Sequence, residues 1–189
     1  MIQHISFSER LGLNKEMLQA FLSTAETRCY KKGSILFERD TVYNQLGYIK
    51  SGAVRTYCIN DQGIDISFLL QVNGDFFGDY ESYITGKRSA FIIEAAVDTE
   101  VLLFDKKRLD ELIASDISWL RFSRTISDIC FLEAKRRIEE LLFFSPEERY
   151  FNLLQKSPEI ICKIPLKYIS TYLGITPQSL SRIRKRLIN

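Results

Sequence analysis

The chain has 189 residues, of which 46% are hydrophobic and 26% are charged, and its formal net charge is +2. This composition is that of an ordinary globular protein long enough to bury a core, and no uninterrupted apolar run approaches the ~20 residues of a membrane-spanning helix. The N-terminus shows no basic segment followed by an apolar core, so no secretory signal is recognisable and we expect a cytoplasmic protein.

The cysteines and the histidine argue against a metal site and against most enzyme classes. The dispersed Cys29, Cys58, Cys130 and Cys162 do not fit the spacing of a zinc ribbon, an iron–sulfur site or a redox pair. The only histidine is His4. Barrel-shaped dioxygenases and isomerases hold their metal with two or more histidines and a carboxylate, so we expect neither a metal nor an enzyme.

The N-terminal part predicts a short helix followed by an antiparallel roll. Asn14 can cap a helix in which Met17, Leu18 and Phe21 form one apolar stripe. From residue 27 to 105, about eight short segments rich in Ile, Val, Phe and Tyr alternate with glycine-containing turns, a pattern typical of an antiparallel roll or barrel. The turns are expected at Gly33, Gly52, Asp61–Gly63 and Asn73–Gly74.

The fourth of these segments alternates as a strand with one buried and one exposed face should. Val54, Thr56 and Cys58 would face the core, while Arg55 and Tyr57 would face solvent. This alternation predicts solvent on the outer side of the strand.

After Asp105 the periodicity changes to that of a helix. A helical pattern starts near Leu109 and continues without glycine or proline to Phe144. A heptad rhythm, interrupted by Arg124 and Ser127, runs through positions 113, 117, 120, 124, 127, 131, 134, 138 and 141. A second stripe contains Trp119, Phe122, Ile126 and Ile129.

A helix that is apolar on two sides must be covered on two sides. One solution packs one stripe on the roll of the same chain and the other on the same helix of a second copy. The alternative is a helix buried within a monomer. Because a chain of 189 residues has little left to cover the second stripe, we favour a homodimer.

A clear helix start follows this helical segment. Ser145 can serve as the N-cap, Pro146 occupies the first turn and Glu148 can close a capping box. This helix would end at Ser157–Pro158, and Ile160–Lys163 is expected to be a loop or a minor strand. We place a domain boundary immediately before Ser145.

The last 26 residues predict two short helices joined by a tight turn. Leu166, Ile169 and Leu173 are spaced three and four apart and therefore share one face of the first helix. Gly174 follows at once, where glycine can end a helix in the left-handed conformation.

The second helix would begin with Thr176 as N-cap and Pro177 at the first position. Its apolar face would contain Leu180, Ile183 and Leu187, and its opposite face carries Gln178, Ser181, Arg182, Lys185 and Arg186. From residue 145 onward there are eight Lys or Arg and three Asp or Glu, which gives +5 and leaves −3 for the rest. A basic helix held across another by a glycine turn is typical of a helix-turn-helix that enters a DNA major groove. The alternative is an ordinary amphipathic pair with a solvated basic end.

A roll, a long helix and a terminal helix-turn-helix, in this order, resemble the cyclic-AMP receptor / fumarate-nitrate regulator (Crp/Fnr) family of bacterial transcription factors. The matching segments are YLGITPQSLSRIRKRL, GYIKSGAVRTY and GDFFGDYESYITGKRSAF. The resemblance implies a mixed α+β fold with a cyclic-nucleotide-binding-like β-roll (1–115), a dimerisation helix (116–144) and a DNA-binding domain (145–189). It also implies a homodimer on a double-stranded DNA operator, with RNA polymerase as a partner of an activator.

The resemblance further implies which residues contact DNA. Gln178 would pair with an adenine edge and Arg182 with guanine, whereas Pro177 stands where some family members have an arginine. Lys185 and Arg186 would bind backbone phosphate. Phosphate or secondary contacts are expected from Thr176, Ser179 and Ser181.

Cyclic-nucleotide binders of this family use a Gly-Glu pair for the ribose and an arginine followed by a small residue for the cyclic phosphate. Arg88 has the right chemistry for phosphate, but Asp79 is one methylene shorter than glutamate, and Tyr80 or Tyr83 could fill the pocket. A cyclic nucleotide is therefore a candidate effector, and the alternative is a vestigial site with Arg88 at the surface. The matching positions are Gly78, Asp79, Arg88, Ser89 and Ala90.

A second function stays open at this point. The chain stops two residues after Leu187, which leaves no room for a wing beyond the recognition helix. The alternative to a DNA-binding regulator is thus a nucleotide-binding module of the same fold that no longer binds DNA.

Overall fold

The computed structural model describes residues 11–188, in which a roll, a long helix and a helical head (residues 145–188) follow one another. The strands of the roll are β1 (Ala25–Tyr30), β2 (Ile35–Phe37), β3 (Gln45–Ser51), β4 (Ala53–Ile59), β5 (Asp65–Val72), β6 (Phe76–Phe77), β7 (Ile92–Ala95) and β8 (Thr99–Asp105). The helices are α1 (Lys15–Ser23), α2 (Tyr80–Thr85), α3 (Lys106–Ser115), α4 (Trp119–Phe143), α5 (Pro146–Lys156), α6 (Pro158–Lys163), α7 (Leu166–Tyr172) and α8 (Pro177–Ile188).

Two four-stranded sheets form the roll, with strand orders β1-β8-β3-β6 and β2-β7-β4-β5. All pairings within them are antiparallel, so the predicted mixed α+β fold with an antiparallel roll is confirmed. Asn14 caps α1 as predicted, because its Oδ1 accepts a hydrogen bond from the N–H of Met17 at 2.8 Å. The predicted turns fall between consecutive strands at Gly33, Gly52, Gly63 and Gly74.

Strand β4 departs from the predicted alternation. Val54 and Thr56 are buried as expected and Cys58 is half-buried, but Arg55 and Tyr57 are buried as well, with 1% and 9% of their surface exposed. The prediction was wrong because the head covers the outer side of this sheet. The shared core joins Ala53, Leu70, Val72 and Ala96 of the roll to Ile160, Ile164, Ile169 and Leu173 of the head.

The long helical segment is interrupted once, so the prediction of one continuous helix was wrong at this point. Helices α3 and α4 are separated at Asp116, whose backbone is extended with φ −155° and ψ 142°. The Oδ1 of Asp116 accepts a hydrogen bond from the backbone N–H of Ser118 at 2.7 Å. Such a local side-chain bond competes with the helical hydrogen bond, and the next helix begins three residues later at Trp119.

The two apolar stripes of α4 have different surroundings. Trp119 and Phe122 are buried against α1 and β8, where the rings of Phe21 and Phe104 stack with centroids 4.1 Å apart. The heptad stripe remains exposed in the single chain at Ile117, Leu120, Phe131, Ile138 and Leu141. The roll therefore covers only one of the two stripes.

The head begins as predicted. The N–H of Glu148 donates to Ser145 Oγ at 3.3 Å and the N–H of Ser145 donates to Glu148 Oε2 at 2.8 Å, which confirms the capping box. The expectation of a loop or strand at Ile160–Lys163 was wrong, because these residues belong to α6. Pro158 is tolerated at the first helical position, and Ile160 anchors the helix with 4% exposure.

Two observations about the described residues concern membranes and metals. Between residues 11 and 188, no helix combines the length and the apolar character needed to cross a membrane. In the same range, no group of three or more His, Cys, Asp and Glu side chains is arranged to hold a metal ion. His4 lies outside the described residues.

Candidate nucleic-acid interface and effector site

The turn between α7 and α8 is a helix ending that requires glycine. The N–H of Gly174 donates to the carbonyl oxygen of Thr171 at 3.1 Å, and the N–H of Ile175 donates to that of Ser170 at 3.0 Å. This pair of bonds is the Schellman motif, in which the residue after the helix adopts the left-handed conformation. Gly174 has φ +68°, so the predicted glycine turn is confirmed.

Helix α8 starts at the predicted cap and buries one face. The N–H of Ser179 donates to Thr176 Oγ1 at 3.2 Å, and Pro177 is the first helical residue. Leu180 and Ile183 are 1% and 3% exposed and belong to the core shared with α7. Their burial fixes the direction in which the opposite face of α8 points.

That opposite face is a short polar and basic surface. Gln178, Ser181, Arg182 and Lys185 occupy positions i, i+3, i+4 and i+7 and therefore lie along one side of the helix. All four are exposed, and we call them the reading face. The seven steps from Gln178 to Lys185 correspond to about 10 Å along the helix axis, and a B-DNA major groove ~12 Å wide admits an α-helix.

The remaining residues expected to contact DNA have partners within the head. The guanidinium of Arg186 forms an ion pair with the carboxylate of Glu147 in the first turn of α5, so an acid already compensates its charge. The hydroxyl oxygens of Thr176 and Ser179 are 3.0 Å apart, and Thr176 caps α8. These side chains hold the helix in place at its two ends.

The charged residues of the expected effector site each have partners within the roll. Asp79 is the N-cap of α2, where its Oδ1 accepts a hydrogen bond from the N–H of Ser82 at 3.2 Å. Arg88 is exposed, and its Nη1 donates to the carbonyl oxygen of Asp40 at 2.6 Å. Asp40 has φ +62°, a region that non-glycine residues rarely occupy. Arg88 thus stabilises the loop before β3.

The small residues of this site also have structural roles. Gly78 has φ +153°, and a Cβ atom there would lie 2.6 Å from Cε1 of Tyr43, so only glycine allows this approach. Ser89 is 2% exposed, and its Oγ accepts a hydrogen bond from the N–H of Phe91 at 3.0 Å. Ala90 is exposed.

Tyr43 fills the roll next to Gly78. It is 3% exposed, and its ring packs edge-on against Phe37 with centroids 4.3 Å apart. Burial raises the pKa of the Tyr43 phenol far above its usual range. Sequence reasoning missed Tyr43, because it lies in the loop between β2 and β3 and belongs to no alternating segment.

The two tyrosines that could fill the pocket both contact helices that follow the roll. The hydroxyl of Tyr80 lies 2.9 Å from Oγ of Ser127 on α4. The ring of Tyr83 lies 4.8 Å from the ammonium of Lys106 at the start of α3, and burial raises the pKa of Tyr83 to about 12. These contacts join the effector region to the helices that follow the roll.

Two polar side chains on the inner surface of the roll were also missed. Thr56 pairs with Ile93 and Gln71 pairs with Val54, both neighbours belonging to the buried interior. Thr56 Oγ1 and Gln71 Oε1 are buried, and within residues 11–188 neither has a hydrogen-bond partner. Buried polar atoms usually have one, so a polar ligand group suits this position. The glutamine inside the apolar run FLLQV was the available sequence signal.

Comparison with known families and proteins agrees with this architecture. The family model described as "Cyclic nucleotide-binding domain" matches residues 27–116. A curated relative, the cGMP-dependent 3',5'-cGMP phosphodiesterase A of Dictyostelium discoideum, is 35% identical over 86 residues, which are 46% of this chain and 9% of that protein. The chain therefore matches only about a tenth of that enzyme's length.

Solved structures of regulators share the fold over most of the chain. FixK2 from Bradyrhizobium japonicum superposes with a TM-score of 0.75 and 22% identity, covering 86% of this chain and 84% of that one. The c-di-GMP responsive global regulator CLP of Xanthomonas campestris gives 0.69 and 18%, covering 92% and 91%. A protein of Eubacterium rectale described as a Crp/Fnr family regulator gives 0.67 and 21%, covering 93% and 83%.

The residues that match the family model contain most of β1, all of β2–β8 and helix α3. The likeness to the solved structures extends further, through the head. Residues 27–116 therefore match the cyclic nucleotide-binding domain family, and the chain as a whole is Crp/Fnr-like in its fold.

Proposed function

We propose that the protein is a homodimeric, sequence-specific DNA-binding regulator of transcription whose roll senses an effector. The observation that carries the proposal is the reading face, four exposed side chains on one side of a helix whose other side is buried. The likeness of the fold to regulators supports a regulatory rather than an enzymatic role. A sensor (1–115), a dimerisation helix (116–144) and a DNA-binding domain (145–189) are the corresponding parts.

The residues of the reading face and their neighbours on α8 are assigned separate roles in binding DNA. Gln178 and Arg182 lie one turn apart near the N-terminal half of α8 and are assigned to base edges, as the amide and the guanidinium can each make bidentate contacts with a base. Lys185 and Arg186 lie nearer the C-terminus of the helix and are assigned to phosphates, and at Arg186 the phosphate competes with the carboxylate of Glu147. Secondary contacts are assigned to Thr176, Ser179 and Ser181.

A second copy of this chain is the proposed partner of α4. Its heptad stripe exposes large apolar side chains in the single chain, among them Phe131 at 67% and Ile138 at 57%. Pairing two such stripes would bury them and place two heads on one face of the DNA. The recognition helices of such dimers enter major grooves roughly 34 Å apart.

Selection from random DNA, followed by fluorescence anisotropy over a range of salt concentrations, tests DNA binding. Arg182→Ala should weaken binding to the selected site by about 1–3 kcal/mol and relax the preference at one base pair. Lys185→Ala should weaken binding to all sequences alike and reduce the salt slope by about 1. Lys107→Ala, at an exposed basic residue of α3, is the matched control. Equal affinity of Arg182→Ala and wild type would refute the assigned reading face.

Analytical ultracentrifugation tests the dimer. Phe131→Glu places a charge in the exposed stripe and should give a monomer under conditions in which the wild type is a dimer, because an unpaired buried charge is costly. Arg136→Glu, on an exposed position outside the stripe, should leave the dimer intact. A dimer in both variants would contradict pairing through this stripe.

A cyclic nucleotide is the proposed class of effector, since the matched family is that of cyclic nucleotide-binding domains. Arg88 suits a phosphate, and Thr56 and Gln71 offer inward polar atoms. Isothermal titration calorimetry with cyclic AMP, cyclic GMP and cyclic di-GMP tests this class, with Arg88→Ala as the variant expected to lose binding. Nucleotide binding combined with no salt-dependent affinity for DNA would favour the alternative, a nucleotide-binding module that no longer binds DNA.

DNA and, for an activator, RNA polymerase are thus the proposed macromolecular partners. Both act inside the cell, so the proposal includes a cytoplasmic location. Co-purification of the polymerase on the selected DNA site, compared with Arg182→Ala as a variant of weakened DNA binding, would test the partnership.

A further inference from the structure

Arg55 is a buried cation in the middle of a β-strand. It faces the outer side of β4, and its side chain is 1% exposed. Its Nε donates to Ser67 Oγ at 2.9 Å, and its Nη2 forms an ion pair with Asp65. Burial lowers the pKa of Arg55, because the charged form is removed from water. A charge in such a position needs close partners.

The head supplies one of these partners. The guanidinium of Arg55 lies between two aromatic rings, 4.1 Å from the ring centroid of Tyr57 on the same strand and 3.7 Å from that of Tyr168 on α7. The hydroxyl of Tyr168 donates to Glu94 Oε1 on β7 at 3.3 Å. Tyr168 thereby binds two strands of the roll at once.

The neighbouring contacts continue this polar connection. Thr171 Oγ1 accepts a hydrogen bond from the backbone N–H of Ser67 at 3.2 Å and lies 2.9 Å from Ser67 Oγ. Ser67 therefore joins Arg55 to α7 through a second route. Since Ser67 is 1% exposed, this network lies in the interface between roll and head and not at its rim.

A second arginine–tyrosine stack joins α7 to the long helix. The guanidinium of Arg137 on α4 lies 3.9 Å from the ring centroid of Tyr172 and donates to the carbonyl oxygen of Tyr172. Tyr168 and Tyr172 are four residues apart, so their rings lie one turn apart on the same side of α7. One short helix therefore carries the contacts to both the roll and α4.

We propose that α7 is a clamp helix: the Arg55–Tyr168 and Arg137–Tyr172 stacks lock the head to the roll and to α4 and hold the reading face in one orientation. A displacement of β4 or β5 then acts on the head directly through Arg55 and Ser67, in addition to any route along α4. The clamp itself stands on the geometry alone. Its consequence for DNA rests on the proposed function.

The chemistry of the clamp suits reversible docking. A guanidinium between two tyrosines gains cation–π energy when water is excluded, and it regains hydration when the head leaves. An interface made only of apolar side chains has no such compensation on opening. The clamp therefore adds a reversible polar part to an interface that also contains the apolar core shared by roll and head.

Hydrogen–deuterium exchange measured by mass spectrometry tests the clamp on the full chain. Arg55→Leu, a substitution in the roll, should accelerate exchange of the α7 amides roughly tenfold, because one cation–π stack is lost, and leave β1 unchanged. The reciprocal variant, Tyr168→Leu in the head, should accelerate exchange in β4 and β5. If Arg55→Leu does not fold, the Tyr168→Leu variant alone tests whether the clamp exists. Tyr168→Phe keeps the ring over Arg55 and is the matched control, with a smaller effect expected.

The double variant gives the sharper test. When both members of one stack are removed, the effect on α7 exchange should be little greater than in either single variant, because the same interaction is lost each time. Additive effects would overturn the clamp, as would an Arg55→Leu protein in which only β4 and β5 exchange faster.

Measurements of DNA affinity distinguish a failure of the clamp from a failure of the proposed function. Arg55→Leu should weaken binding to the selected site about three- to tenfold with an unchanged salt slope, because no phosphate contact is removed. Faster α7 exchange with unchanged DNA affinity would contradict the claim that the clamp orients the reading face. A wild-type protein without DNA affinity would refute the proposed function, and the exchange result would still decide whether the clamp exists.

Discussion

The ion pair between Arg186 and Glu147 leads to a specific prediction about DNA affinity. Both side chains are largely exposed, at 66% and 52%, so the pair contributes no more than about 1 kcal/mol. Glu147→Gln removes the acid and frees Arg186 to bind a phosphate instead. If the whole pair energy becomes available to DNA, the affinity rises by at most about fivefold at moderate salt. A phosphate contact for which Glu147 no longer competes also steepens the salt dependence, by up to about 0.9 in log–log slope.

Fluorescence anisotropy on the selected site, at salt concentrations from roughly 50 to 300 mM, measures both quantities. Glu159→Gln is the matched control: Glu159 pairs with Lys163 on α6, so the net charge changes equally without freeing a residue of α8. We expect less than about a twofold effect from Glu159→Gln, since exposed charges are screened beyond ~10 Å. Equal gains from the two variants, or a gain with an unchanged slope, would refute the reasoning. In the Glu147→Gln background, Arg186→Ala should remove the gain.

Three further predictions concern stability, measured by urea unfolding. Gly174→Ala should destabilise the protein by about 1–2 kcal/mol, because φ +68° is unfavourable for any residue with a Cβ. Ser145→Ala should cost about 0.5–2 kcal/mol at neutral pH. The hydrogen bonds from Ser145 lower the pKa of Glu148 below its usual 4.5, so their stabilisation is fully present above pH 4.5. The difference in stability between Ser145→Ala and wild type should shrink as the pH falls through the lowered pKa of Glu148. Tyr43→Ala should cost about 3–5 kcal/mol, whereas Tyr43→Phe should change stability little, because the hydroxyl lies as far as 3.5 Å from the carbonyl oxygen of Phe77.

The elements that the sequence predicted correctly are those determined by neighbouring residues. The cap at Asn14, the capping box at Ser145 and the glycine turn at Gly174 each depend on side chains within a few positions of the backbone groups that they serve. The eight strands followed from the spacing of their turns. Such signals are local, and the tertiary structure does not reverse them.

The errors occurred where distant residues decide the outcome. Arg55 follows the alternation of a half-exposed strand, but α7, more than 100 residues later in the chain, covers it. The break at Asp116 depends on one side-chain hydrogen bond that competes with a good helical pattern. At Ile160, burial in the shared core made a short helix out of a segment with no helical periodicity of its own.

The effector region shows why a matching motif does not determine the state of a site. The motif identified Arg88, yet its partner is the carbonyl oxygen of Asp40, and the ring beside Gly78 is that of Tyr43. Both partners belong to the loop between β2 and β3. A phosphate that takes the Nη1 donor of Arg88 would remove a hydrogen bond from a residue held at φ +62°, a conformation that persists only with support from its surroundings. We therefore expect binding through this donor to be coupled to rearrangement of the loop, which also carries Tyr43, the side chain that fills the roll beside the motif.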